Sequence, residues 1–140
     1  MKIGFKIKTK NSTEIRFTYY LTDAPVSSEA FNNILPFKRN FLHAMVSGQE
    51  IWFNNLPPVD IIQENASVFT KPGEVVLGPA KPARVKTANC FGIYYGEGKG
   101  LDAANIFAKV VDEDFEKLKQ LGEAIRMYGT QELEILSYEE

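Results

Sequence analysis

The chain has 140 residues, 44% of them apolar and 24% charged, and a formal net charge of −2. That is the make-up of one ordinary folded domain spanning 1–140, not of a disordered or fibrous chain. The charge leaves no basic surplus for nucleic acid or an anionic membrane surface, and no apolar run approaches the ~20 residues of a bilayer span.

Met1-Lys2 leads directly into the alternating stretch "IGFKIKT", which is not the apolar core of a signal segment. One cysteine excludes an internal disulfide and suits a reducing compartment. The expectation is a cytoplasmic protein.

In "KIGFKIKT", Ile3, Phe5 and Ile7 alternate with lysines; in "EIRFTYY", Ile15, Phe17 and Tyr19 alternate with polar residues. With "KNST" as turn chemistry between them, the pattern predicts an antiparallel hairpin with one buried face. "DAPVSSEAFNNIL" predicts a short amphipathic helix: Pro25 fits its first turn, Asp23 and the serines can cap it, and Pro36 ends it. From Phe37 to Phe53 the pattern is strand again, broken by a turn at Ser47-Gly48. "NNLPPVDIIQENAS" reads as an extended loop or edge segment. "GEVVLGP" and "VKTANCFGIYYG" read as strands, "EGKGLDAAN" as a loop, and "IFAKVVD" as another strand. A second helix is expected from Glu113 to Arg126 with Asp112 as its cap, and "QELEIL" closes the chain as a strand. About eight strands and two helices favour a closed antiparallel barrel, which removes its own edges, with the helices over its open ends.

Three stretches resemble cyclophilins: "DAPVSSEAFNNIL", a first-helix signature; "IFAKVVDEDFEKLKQL", similar to a strand–helix passage built on Phe-Gly-Lys-Val; and "FLHAM", placed where a cyclophilin has Phe-His-Arg. "LPF" (Leu35 to Phe37), H-A-x-x-S-G (His43 to Gly48) and N-x-F-A-x-V (Asn105 to Val110) look like a family of uncharacterised bacterial cyclophilin-like proteins. The resemblance implies a mainly β fold, a closed eight-stranded barrel capped by two α-helices. It does not imply the isomerase. The positions matched to the isomerase arginine, aromatic and histidine hold Ala44, Gly92 and Ala104, which offer neither a cation for the prolyl amide nor an aromatic wall for its ring. The amide's rotation barrier of ~20 kcal/mol would go unassisted.

One histidine and one cysteine give no ligand set for zinc or iron, so neither metal nor cofactor is expected. Cys90–His43 or Ser47–His43 nucleophile pairs are conceivable, although Cys90 also reads as a small buried apolar residue and Ser47 as a turn residue. "GEGKG" lacks the Gly-Lys-Ser/Thr ending of a phosphate loop. Trp52, Phe53, Phe91, Tyr94 and Tyr95 could line a ligand pocket, fill the core or form an oligomer contact. His43 lies on the strand that, by the resemblance, walls the groove on the outside of a cyclophilin barrel; it is either a groove contact or a core histidine bonded to backbone. Gln49, Glu50, Trp52 and Tyr94 are placed near it, with Arg84 a candidate for an anionic ligand group. The functional expectation is a small-molecule-binding protein, a homo-oligomer without prolyl isomerase activity. The alternatives are an enzyme acting on a small cyclic or amide metabolite, and a peptide-binding module.

Overall fold

The computed structural model describes residues 3–57, 59–79 and 88–140. The first two strands, β1 (Ile3–Lys8) and β2 (Glu14–Tyr19), form the expected hairpin with Phe5 opposite Phe17. Alternation drives it: Phe5, Ile7, Ile15, Phe17 and Tyr19 are buried together, and the rings of Phe5 and Phe17 stack at 4.6 Å. Gly4 is required by close approach, since a Cβ there would stand 1.7 Å from the Phe17 carbonyl oxygen.

The hairpin is part of a ring. The chain continues through α1 (Pro25–Asn33), β3 (Phe37–His43), β4 (Gly48–Phe53), β5 (Ala66–Phe69), β6 (Glu74–Leu77), β7 (Phe91–Val110), α2 (Phe115–Tyr128) and β8 (Gln131–Glu139). Antiparallel pairings run β2–β1–β8–β3–β4–β7, and β7 returns to β2 at Phe17–Val110, Thr18–Lys109 and Tyr19–Ala108. The result is a mainly β fold of eight strands in a ring-like sheet with two helices, and no helix among the described residues is long and apolar enough to cross a membrane.

Two segments differ from expectation. "EGKGLDAAN" is not a loop but the middle of one continuous twenty-residue strand, β7. The strand bends so sharply that β6 lies between its two halves, with Val75 opposite both Ile93 and Ala108. Gly96, Gly98 and Gly100 carry no side chain, so hydropathy is silent there while the backbone still forms a ladder with Gly48 and Phe69. The second is "ASVF", which pairs with β7 as β5 although its residues show no clean alternation.

Both helices pack on the sheet through the faces the sequence marks. Phe31 of α1 enters the core between Phe5, Phe91 and Phe107, at ring separations of 5.1 to 5.2 Å. Leu118, Leu121 and Ile125 of α2 are buried, and Gly122 lies flat against the ring of Tyr95. The caps, however, come from a distance. Asp23 and the serines do not cap α1; Glu64 does, its carboxylate accepting from the amides of Val26 (3.4 Å) and Ser27 (2.6 Å). Asp112 does not cap α2 either, because a 3-10 turn, Asp112–Asp114, precedes the helix.

Asp114 is 1% exposed and reaches back to β2, accepting from the Arg16 amide (2.8 Å), Nε (2.8 Å) and Nη2 (3.1 Å), with Lys117 Nζ at 3.4 Å. Burial works against its charge, but the hydrogen bonds from Arg16 and the two cations outweigh it and hold the carboxyl below its usual range. Asp114→Ala is therefore expected to destabilise the fold by ~2–3 kcal/mol at neutral pH. The difference from wild type should shrink as pH falls through the lowered carboxyl pKa, where the native charge is lost. Urea unfolding at pH 7 and pH 3 measures both; an unchanged midpoint at pH 7 would exclude this anchoring role.

Candidate functional site

Alternation along β4 and β7 sorts their side chains between two faces. Ile51, Phe53, Phe91, Ile93 and Tyr95 fill the core, whereas Glu50, Trp52, Gly92 and Tyr94 face outward, with Glu50 opposite Tyr94 and Trp52 opposite Gly92. The outward set walls a cavity of about 220 Å³, closed on its other sides by the β3–β4 turn (Ala44 to Ser47), Thr70, Val76, and Leu101 to Ala104 apart from Ala103. Ala44, Gly92 and Ala104, the three positions matched to isomerase catalytic residues, all line this one cavity. The cavity lies on the outer face of the sheet, and the side chains at these three positions are small.

The polar group at the centre is Glu50, 9% exposed although it carries a carboxyl. Ser47 Oγ donates to its Oε1 at 2.5 Å. Its Oε2 lies directly over Gly92, where a Cβ would come within 2.0 Å of it, so the missing side chain at 92 makes the room that the carboxyl occupies. Burial pushes the Glu50 carboxyl up, against hydrogen bonds from Ser47 and Tyr94 that favour its charged form. Burial likewise raises the Tyr94 hydroxyl and the Cys90 thiol, and in both the charge of Glu50 adds to the effect. Thr70 also lines the cavity, and its buried hydroxyl has no hydrogen-bond partner among the described residues.

Of the six residues singled out from sequence, the fold gathers Glu50, Trp52 and Tyr94 around the cavity. His43 is elsewhere. It shares the face of Phe41 on β3, so its half-buried ring points to the core side, meeting Tyr95 edge-on at 5.6 Å. Its Nδ1 donates to the Ala44 carbonyl at 2.8 Å, which leaves Nε2 to accept from the Tyr95 hydroxyl at 2.7 Å. With both nitrogens engaged, His43 pairs with neither Cys90 nor Ser47. Gln49 points away from Glu50 and lies over Gly96, accepting from the Glu97 amide at 3.0 Å. Arg84 lies outside the described residues. Ser47, Thr70, Cys90 and Asp102 line the cavity without having been singled out as ligand contacts; the even numbering shared by Glu50, Trp52, Gly92 and Tyr94 was the available signal. Among the described residues no three His, Cys, Asp or Glu side chains gather into a cluster able to hold a metal ion.

A ring-like antiparallel sheet with two helices and an outer groove along β4 and β7 defines a cyclophilin-like fold. Solved structures agree. McbB, solved in complex with tryptophan, superposes with a TM-score of 0.74 at 15% identity over 95% of this chain, which spans only 44% of that protein. A cyclophilin-type peptidyl-prolyl cis-trans isomerase of Cryptosporidium parvum, solved with the dipeptide Ala-Pro, gives 0.66 at 17% identity, covering 98% of this chain and 99% of that one. A hypothetical protein of Archaeoglobus fulgidus gives 0.63 at 16% identity over 96% and 93%. Within that fold the chain belongs to the family described as a protein of unknown function, DUF3830, which matches residues 8–138. No curated protein sequence matches it.

The raised Glu50 carboxyl has a measurable consequence. In the unfolded chain it ionises at its ordinary value, in the fold only at higher pH, so its burden on stability appears as pH rises between the two. Glu50→Gln, which can keep the Ser47 contact, is expected to raise Tm at pH 7 and to leave it unchanged in acid below the ordinary carboxyl range. Equal Tm values for the two proteins at both pH values would contradict the assignment.

Proposed function

We propose that this chain is a small-molecule-binding protein whose ligand occupies the cavity on the outer face of β4 and β7, and that it does not isomerise prolyl peptides. The observation that carries the reading is the convergence of Ala44, Gly92 and Ala104 on one cavity, with Glu50 as the buried polar group in the space they leave. Apolar walls with a few convergent polar groups are the usual composition of a small-molecule site. A volume of about 220 Å³ exceeds the roughly 150 Å³ that accommodates a benzene ring, so a one- or two-ring compound fits and a folded peptide segment does not. The tryptophan bound to McbB is a compound of that size class and supports the reading by analogy of fold.

In this reading the ring is a closed barrel capped by α1 and α2, acting as a single cytoplasmic domain without nucleic acid or membrane partners. Self-association goes with it: Met45 and Val46 are 96% and 74% exposed on the cavity rim, and Phe69 on β5 is 68% exposed, a surface apolar enough to join copies. A second reading, an enzyme acting on a small cyclic or amide compound, is favoured by one feature. A carboxyl whose pKa is pushed upward by burial inside an apolar cavity is what a general acid requires.

The test is a thermal-shift screen of one- and two-ring metabolites against wild type and Gly92→Ala. The added methyl would displace the Glu50 carboxylate, a flexible group, instead of backbone. Hits are expected with wild type and lost in Gly92→Ala, which itself stays folded. A standard prolyl-peptide assay is expected to give no rate above background. Measurable isomerisation would refute the reading, and so would hits that Gly92→Ala retains.

A further inference from the structure

We infer that the ligand is an amine: a small aromatic or cyclic body bearing one protonated nitrogen, held with that nitrogen against Glu50. The inference rests on the cavity being the ligand site, and it assigns the chemistry of what enters.

Three observations point the same way. The two carboxylates on the cavity wall, Glu50 and Asp102, meet no lysine, arginine or histidine among its described lining residues. Neither carboxylate has a salt-bridge partner among the described residues, whereas the buried aspartate Asp114 is held by two cations. A buried carboxyl in apolar surroundings either takes up a proton or finds a cation, and an ammonium group would supply the missing charge. The aromatic walls favour the same guest, because the faces of Trp52 and Tyr94 attract a cation and flank Glu50 along the paired strands. Finally, Thr70 lines the cavity with a buried hydroxyl that lacks a partner among the described residues, and rotation about its Cα–Cβ bond would present that oxygen to a second N–H of the guest. An anionic guest would meet two carboxylates instead, and a neutral one would leave the Glu50 carboxyl unpaired.

Isothermal titration calorimetry at pH 7.5 with indole, tryptamine and indole-3-acetate separates these cases, since the three share one bicyclic ring and differ in charge. Tryptamine is expected to bind at least tenfold more tightly than indole, and indole-3-acetate most weakly. In Glu50→Gln the preference of tryptamine over indole should collapse to within about twofold while indole binding persists. Equal affinity for the three compounds, or a preference for the acetate, would overturn the amine assignment and leave the cavity as a ligand site of different chemistry. Absence of binding by all three would overturn the amine assignment for ring compounds of this size and the cavity reading beneath it.

Discussion

The constraint on which this molecule depends is the course of β7. Twenty residues without a break supply hydrogen bonds to β2, β4, β5 and β6, and the bend in the middle lets β6 lie between the two halves. Because strand side chains alternate, that one segment sets both sides of the protein. Phe91, Ile93, Tyr95 and Phe107 enter the aromatic core with Phe5, Phe31, Phe41 and Phe53, where neighbouring rings lie 5 to 6 Å apart. Gly92, Tyr94, Ala104 and Ile106 face the opposite way and form part of the groove side. A one-residue slip of β7 would send the aromatics outward and close the cavity at once.

The cavity follows from subtraction. A cyclophilin-like sheet already has a groove on this face. Here the positions that the resemblance assigns to arginine, aromatic and histidine are alanine, glycine and alanine, and the space vacated over Gly92 is taken by the carboxyl of Glu50. The substitution changes the sign of the site as well as its size. Where the resemblance would place the cation of an isomerase, this chain has alanine, and the polar group in the cavity is a buried acid, Glu50. The clamp of Asp114 on Arg16 shows the other way of handling a buried carboxylate, full pairing within the chain. The contrast is between a carboxylate paired with cations of its own chain and one that has no salt-bridge partner among the described residues.

Much of the fold was legible from periodicity. The hairpin of β1 and β2 carries strict alternation, and Phe31 and Leu118 sit on apolar helical stripes, so those elements are where the residues place them. Legibility failed where residues lack side chains or contrast: through Gly96, Gly98 and Gly100 in β7, and in the short β5. It failed also at the cap of α1 and at the anchor of Arg16, because Glu64 and Asp114 act across about 40 and 100 residues of sequence, distances at which local rules are blind. In the site, Glu50, Trp52 and Tyr94 could be named because they share a strand face with one another or with a partner strand. For His43 the sequence left a groove contact and a core histidine bonded to backbone both open; its odd-numbered place beside Phe41 puts it on the core side, bonded to the Ala44 carbonyl and to Tyr95. Thr70 and Asp102 needed the bend of β7, which no local pattern encodes.

The central claim is that the outer face of β4 and β7 is where this protein meets its ligand. Amide chemical-shift mapping with a mixed library of small ring compounds tests that directly, without presupposing which compound is right. The account predicts that compounds which bind perturb the amides of Ala44, Glu50, Gly92, Tyr94 and Ala104, and leave those of the β1–β2 hairpin, away from the cavity, in place. Shifts centred on any other face of the molecule, with these five amides unmoved, would contradict it.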